Sequence, residues 1–163
     1  MFLAGGLLIG NLAFAQGPKL GYINSTDLLK SMPEIAKADT NVSNYAKTFQ
    51  NELESMQKEY QTKVQAFQSG EKQMSDAIKE VKMKEIQDLQ GRMEGLQQSA
   101  QEKINQKKQE LYSPILEKAD KAIKEVGKEK GYDYIFDLSQ GSVLYYKEGE
   151  NILPLVKAKL GVK

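Results

Sequence analysis

The chain has 163 residues, a formal net charge of +1, and no cysteine, histidine or tryptophan. This length is typical of a single domain, and 28% charged against 40% hydrophobic residues suits extended helices around a modest core. The commonest general base, thiol nucleophile and zinc ligands are absent, and no glycine-rich phosphate loop occurs, so we expect no enzyme, no metal site and no cofactor. We also expect no nucleic-acid partner.

The first 18 residues carry no charged side chain. Residues 2–9 form an apolar run that is too short and too rich in glycine for a good membrane span, and Ala13, Phe14 and Ala15 match the small-x-small pattern of signal-peptide cleavage sites. No lysine or arginine precedes the run, which departs from the usual pattern. We predict a signal peptide over residues 1–15 and export of a single domain, residues 16–163, to an oxidising space. A buried apolar N-terminal helix is the alternative.

The first elements of the mature chain are predicted to be short. Residues 19–24 read as a strand, and Ser25 then offers an N-cap for a short helix with Asp27 in its first turn. Pro33 ends this helix and suits the first position of the next one, where no N–H is needed. Glu34 follows, where a helix N-terminus favours negative charge.

A long helical region dominates the chain from residue 34 to residue 130. Apolar side chains recur there at alternating gaps of three and four, between Lys, Glu, Gln, Ser and Asn, which is typical of a narrow coiled-coil seam. We predict an arm over residues 34–111 with this seam along it. The seam residues are Val42, Tyr45, Phe49, Leu53, Met56, Tyr60, Val64, Phe67, Ile78, Val81, Ile86, Leu89, Met93, Leu96 and Ile104.

The two halves of the seam match each other if the chain folds back as an antiparallel hairpin. Apolar pairs such as Val64 with Val81 have residue numbers that sum to 145 or 146, which places the tip near residues 70–75. Gly70 is a helix-stopping residue and Ser75 a candidate N-cap for the returning helix. A register displaced by one heptad would also pair the two seams.

The returning helix is predicted to continue into the base of the molecule. Pro114 should kink or interrupt it, and Gly131 should end it. Residues 132–138 and 143–146 then read as two strands of a β-hairpin, and Asn151 caps a final helix over residues 152–160. The predicted fold class is α+β, with a small body formed by residues 19–33 and 112–163. Three short strands are too little to anchor so long a hairpin alone, so we expect self-association through the body.

Several short motifs carry a family resemblance. They are residues 20–25 (LGYINS), Pro33 with Glu34, residues 131–137 (GYDYIFD) and residues 141–146 (GSVLYY). In this order around a long helical hairpin, they resemble the Skp/OmpH family of periplasmic chaperones, and the similarity covers the whole mature chain.

That resemblance implies a homotrimer whose strands form a common β body. Three arms would project from it and enclose an unfolded outer-membrane protein without using ATP. The residues assigned to the trimer body are Tyr22, Ile23, Tyr134, Ile135, Phe136, Leu138, Val143, Leu144 and Tyr145. Several members of the family have strongly basic arms, whereas residues 34–130 here hold 17 basic and 17 acidic side chains, so contact with membrane or lipopolysaccharide is left open.

Two function classes follow from these observations. The first is a holdase that shields unfolded β-barrel precursors, and the alternative is a coiled-coil envelope scaffold or adaptor that binds one folded partner.

Gly91 and Gly95 are predicted to form an arm hinge, because the register places them opposite Ser55 and Asn51, where both helices carry small residues.

Asp133 and Asp137 share one face of the predicted strand 132–138. Such a spacing could indicate a pair of carboxylates with a chemical role. Solvation of the strand is the simpler interpretation, and we favour it because short motif matches are often accidental.

Overall fold

Two long helices and a small three-stranded sheet make up most of the structure, a computed structural model that describes residues 17–146 and 150–162. The α+β class is confirmed. The predicted signal peptide, residues 1–15, lies outside the described residues. No helix within the described part is long and apolar enough to cross a membrane. The elements are β1 (Leu20–Ile23), α1 (Ser25–Ser31), α2 (Pro33–Gly70), α3 (Asp76–Lys130), β2 (Tyr134–Asp137), β3 (Glu150–Asn151) and α4 (Leu153–Leu160).

The break between α1 and α2 follows its local signals. Met32 is extended (φ −85°, ψ 118°), and Pro33 takes the first position of α2, as predicted. The N-cap of α1 is Asn24 and not Ser25, because the Asn24 side chain accepts a hydrogen bond from the Asp27 N–H. The Ser25 hydroxyl instead donates a hydrogen bond to the carboxylate of Asp137, which lies in a distant part of the sequence.

Helices α2 and α3 lie side by side and run in opposite directions. Near their outer end the Lys63 ammonium is 3.0 Å from the Glu85 carboxylate, and near their inner end Lys118 pairs with Glu34. Helix α2 ends at Gly70, a short 3₁₀ turn (Glu71–Gln73) follows, and Ser75 caps α3 by accepting a hydrogen bond from the Ile78 N–H. The turn and both of its signals therefore lie where the sequence places them.

Three polar contacts join the two helices. Lys63 with Glu85, Asp39 with Tyr112 and Glu34 with Lys118 have residue numbers that sum to 148, 151 and 152. None of these contacts is one of the predicted apolar pairs, so the pairs with sums of 145 or 146 stay a prediction.

Most predicted seam residues are buried or half-buried, but two are not. Ile78 and Val81 on α3 are about half exposed. The ion pair of Lys63 and Glu85 joins the two helices near this end, where Phe67 and Ile86 are half-buried. The seam prediction is wrong at these two positions.

Helix α3 is not interrupted at Pro114. It runs from Asp76 to Lys130 as one element, with Pro114 inside it. A proline removes one hydrogen bond, here to the carbonyl of Glu110, but both residues are exposed and water can reach that carbonyl. Gly131 ends the helix in the left-handed conformation (φ 67°) that glycine adopts without strain, as predicted.

The sheet has the order β2-β1-β3, and both pairings are parallel. The predicted β-hairpin is therefore wrong for this chain, because residues 143–146 form no strand and the third strand is Glu150–Asn151. After β2, Asp137 starts a 3₁₀ turn (Leu138–Gln140) by accepting a hydrogen bond from the Ser139 N–H. The turn diverts the chain away from β2, and β3 then pairs on the opposite side of β1.

The core lies between one face of the sheet, α1, the end of α3, and α4. Its fully or nearly fully buried side chains are Ile23, Leu28, Met32, Ala119, Ala122, Val126, Ile152 and Val156. Gly21 and Gly127 allow close approach, because a Cβ at Gly127 would lie 3.0 Å from Ile135. Helix α4 begins at Leu153, one residue later than predicted, and the Asn151 side chain accepts from the Leu153 N–H.

Candidate functional site

One face of the sheet is largely exposed in the part of the chain that the structure describes. Successive residues of a strand point to opposite faces of the sheet. Ile23 and Ile135 face the helices, so their neighbours along each strand face away. Leu20 pairs with Tyr134, and Tyr22 pairs with Phe136, in the parallel register. We call these four side chains the outer face. Tyr134 is 61% exposed and Phe136 is 45% exposed, which is unusual for large apolar groups set side by side.

The segment of residues 142–146 borders the outer face. The ring of Tyr146 lies 4.9 Å from the ring of Tyr22, so the segment is partly folded over the sheet. Leu144 and Tyr145 point outwards and are 97% and 85% exposed. A groove of about 570 Å³ lies between this segment and the sheet, lined by Leu20, Gly21, Tyr22, Phe136, Leu138, Ser142, Val143, Leu144, Tyr145, Tyr146 and Glu150.

Most of the residues predicted for the trimer body gather at this groove. Three of them do not. Ile23 is buried in the chain's own core and Ile135 packs against that core, whereas Tyr134 lies on the outer face but does not line the groove. Leu20 and Tyr146 line the groove but were absent from the prediction. Leu20 could have been identified from the sequence, because it lies two residues before Tyr22 and therefore points to the same face of the strand.

The two aspartates of strand 132–138 have separate structural roles. Asp133 accepts a hydrogen bond from the Lys19 N–H at 2.6 Å, whereas Asp137 accepts from the N–H and hydroxyl of Ser25. Burial alone would raise the pKa of Asp137, but the hydrogen bonds from Ser25 and Ser139 outweigh it and hold the pKa below its usual value. The carboxylates therefore join β1 and α1 to the C-terminal part of the chain.

A second polar cluster ties β3 to the start of the chain. Burial, followed by a hydrogen bond to Glu150, raises the pKa of Tyr132 to about 12. The Lys19 ammonium lies 4.4 Å from the centre of the Tyr132 ring and 3.5 Å from the Glu150 carboxylate. These groups are satisfied by one another. Across the described residues, no group of three or more acidic, histidine or cysteine side chains could hold a metal ion.

Gly91 and Gly95 lie on the exposed side of α3. A Cβ built at either position would meet no atom within 4 Å, so the two glycines do not face small residues of α2. The packing reason for a hinge at these residues therefore fails, although the hinge itself stays a prediction. Both lie within an unbroken helix.

The double variant Gly91→Ala/Gly95→Ala should be more stable than the wild type. Alanine is favoured over glycine in an exposed helix by about 1 kcal/mol per residue, and neither methyl group meets a neighbour. Thermal denaturation followed by circular dichroism, at one fixed protein concentration, would measure the gain. Gly127→Ala is the matched control, because its methyl group would press on Ile135, and it should give no gain. An unchanged midpoint for the double variant would contradict the expectation.

Comparison with known proteins gives three findings. A family model described as Outer membrane protein (OmpH-like) matches residues 19–160, which span every element from β1 to α4. An uncharacterized protein of Aquifex aeolicus (strain VF5) is 28% identical over 124 residues, 76% of this chain and 74% of the relative. A crystal structure described as an OmpH-like outer membrane chaperone from Caulobacter crescentus CB15 has a TM-score of 0.77 and 14% identity, and covers 94% of this chain and 90% of its own. At this identity the likeness concerns the fold alone.

Proposed function

Because the chain belongs to the OmpH-like family of outer membrane proteins, we propose that it is an ATP-independent periplasmic chaperone for unfolded outer-membrane β-barrel proteins. The signal peptide would be cleaved after Ala15, which N-terminal sequencing of the exported protein checks. Residues 16–163 would act as one domain, with a body over residues 19–33 and 112–163 and an arm over residues 34–111.

We propose that the body assembles into a homotrimer through the outer face. The single observation that carries this proposal is the row of exposed apolar side chains on the sheet, next to the still more exposed Leu144 and Tyr145. Sheets with one bare apolar face bury it against another layer, and within the described residues the segment of residues 142–146 covers this face only in part. β2 is also an edge strand, which favours pairing with another chain.

The arm would supply the surface that holds the client. Helix α2 has 38 residues, so at 1.5 Å per residue it reaches about 57 Å from the body. Three such arms, each with its seam packed as a coiled coil, would surround a space between them. An unfolded precursor kept in that space cannot meet other unfolded chains, and this prevents aggregation without an energy source.

Substrate breadth tests the holdase proposal. Several unrelated outer-membrane proteins should be diluted from denaturant with and without the chaperone, and their aggregation followed by light scattering. We expect suppression for all of them at about one trimer per client, with native mass spectrometry detecting three chains and one client. Tight binding of one folded partner, with no suppression of aggregation, would overturn the holdase and favour an envelope adaptor.

A further inference from the structure

Methionines are the side chains of this protein that mild oxidants attack first. Peroxides and hypochlorous acid oxidise the sulfur of cysteine and methionine, and the chain has no cysteine and six methionines. Met32 and Met56 are only 1% and 8% exposed, so oxidants reach them slowly. Met74 and Met93 are half-buried, and Met83 is 48% exposed. The accessible thioethers of the described residues therefore lie on the arm.

Met74 closes the turn at the arm tip, by which we mean residues 70–75. It follows the 3₁₀ turn between α2 and α3, and its N–H donates to the Glu71 carbonyl at 3.3 Å. Its side chain folds back onto α2, since a Cβ built at Gly70 would lie 2.7 Å from the Met74 ε-methyl group. The 3₁₀ turn begins without a side-chain cap hydrogen bond, so the packing of Met74 is important for keeping it closed.

A small cavity lies beside Met74, between the ends of α2 and α3. Its volume is about 80 Å³, and it is lined by Lys63, Ala66, Phe67, Met74, Lys82, Glu85 and Ile86. A cavity needs only about 15 Å³ to hold a water molecule, so this one has room for hydrogen peroxide, which is little larger. A small neutral oxidant can therefore reach the Met74 side chain from inside the tip as well as from solvent.

Oxidation by hydrogen peroxide adds one oxygen atom to the Met74 sulfur. A lone pair of the sulfur attacks one peroxide oxygen, and the O–O bond breaks as the new S–O bond forms. The departing hydroxide takes the proton that remains on the transferred oxygen and leaves as water. The sulfur gives up an electron pair, which reduces the peroxide, and the product is methionine sulfoxide.

The sulfoxide is a poor fit for the closed tip. Oxidation converts a flexible apolar side chain into a polar one, and a polar group beside Phe67 and Ile86 costs free energy unless it finds a donor. The ammonium groups of Lys63 and Lys82 are already paired with Glu85, at 3.0 and 3.4 Å. Water lies directly outside the tip, so we expect the oxidised side chain to turn outwards.

We propose that Met74 is an oxidation site and that its sulfoxide opens the arm tip. Phe67 and Ile86 then lose their cover and join Ile78 and Val81, which are already about half exposed near the same end of the arm. Oxidants also damage other exported proteins, so the larger apolar surface would form when unfolded clients accumulate, and a methionine sulfoxide reductase would reverse it. This use rests on the proposed chaperone function, whereas the oxidation and the opening do not.

Peptide mass spectrometry after graded treatment with hydrogen peroxide tests the oxidation site. We expect Met74 to gain one oxygen atom before Met32 and Met56 do, and methionine sulfoxide reductase to remove it. Met83 is the internal reference for an open site, because it is 48% exposed. If Met74 is still unoxidised when Met83 is fully converted, the site is refuted.

Hydrogen–deuterium exchange, measured without any client, tests the opening. In the oxidised wild type the amides of residues 67–78 should exchange at least about tenfold faster, because burying one unpaired polar group shifts a local equilibrium by such a factor. Amides around Val126, in the core of the body, should be unchanged. Met74→Leu keeps the size of the side chain but cannot form a sulfoxide, so peroxide should not change its exchange. Met83→Leu is the matched control and should respond as the wild type does.

Two outcomes would overturn the opening. One is unchanged exchange at residues 67–78 when Met74 is fully oxidised, and the other is equal acceleration in Met74→Leu, which would assign the effect to another methionine.

The use of the site is tested with a denatured outer-membrane protein and light scattering. Oxidised wild type should suppress aggregation at a lower concentration than reduced wild type, and Met74→Leu should gain nothing from peroxide. Equal suppression by the oxidised and reduced forms would refute the use. If neither form suppresses aggregation, the chaperone function fails, but the exchange experiment still decides whether oxidation of Met74 opens the tip.

Discussion

Phe136→Glu is expected to convert the assembled protein into folded monomers. The side chain lies on the outer face, so in the proposed trimer the new carboxylate would be buried without a partner. Such burial costs at least about 3 kcal/mol for each interface, which lowers the association constant more than about 100-fold. Light scattering coupled to size exclusion, with circular dichroism on the same fractions, would measure both mass and helix content.

Two control variants separate assembly from folding in this experiment. Ile135→Glu changes the neighbouring residue on the opposite face, where it packs against the chain's own core, and should unfold the body itself. Leu155→Glu changes an exposed leucine on α4 and should alter neither mass nor helix content. A Phe136→Glu protein that stays assembled at micromolar concentration would show that the outer face is not the interface.

Leu28→Ala should lower the free energy of unfolding by about 3 kcal/mol, because truncating a fully buried leucine removes apolar contact and leaves a cavity. Leu28 is 0% exposed and packs in the core of the body, which is small, so its neighbours have little freedom to fill the space. Urea denaturation at one fixed protein concentration would measure the change, since an oligomer's apparent stability depends on concentration.

Leu116→Ala is the matched control for this measurement. Leu116 is a leucine of α3 that is 46% exposed, and its truncation should change the free energy of unfolding by less than about 0.5 kcal/mol. Equal losses for the two leucines would mean that Leu116 is covered in the assembled protein. A negligible loss for Leu28→Ala would contradict the position of the core.

Helix ends could be predicted from the sequence because their signals are local. Pro33, Gly70, Ser75 and Gly131 each act within one turn, and a helix begins or ends at each of them. Gly70, however, keeps a right-handed backbone (φ −98°, ψ −9°) and does not form a left-handed cap. The N-cap of α1 was misplaced by one residue because Asn24 and Ser25 are both good caps. The choice between them depends on Asp137, more than a hundred residues away, which takes the Ser25 hydroxyl.

Strand pairing could not be predicted in the same way. Alternation in residues 132–138 correctly separates Tyr134 and Phe136 from Ile135, since period two identifies the faces of a strand. It carries no information about which strand lies alongside or in which direction it runs. Residues 143–146 are as β-prone as any part of the chain, yet β1 is flanked by β2 and by the two-residue β3.

The sequence predicted which strands form the candidate site, but the prediction did not specify which face of those strands forms it. Including Ile23 and Ile135 with Tyr22 and Phe136 combined the two faces of one sheet, although the alternation was sufficient to separate them. Tyr146 could not have been selected on this basis, because its place depends on how the segment after β2 folds back onto Tyr22.

The central position of β1 also has a consequence for the order of folding. β1 is the first element of the described chain, and its partner residues, such as Tyr134 for Leu20, lie more than a hundred positions later. Closing so long a loop is entropically costly and slow, whereas helices form from local contacts in microseconds. Once α2 and α3 have paired, however, the start of α2 is already beside α3, because Glu34 lies against Lys118. We therefore expect the arm to form first and to bring the two ends of the chain together. The strands then have only a short distance to cover before they pair.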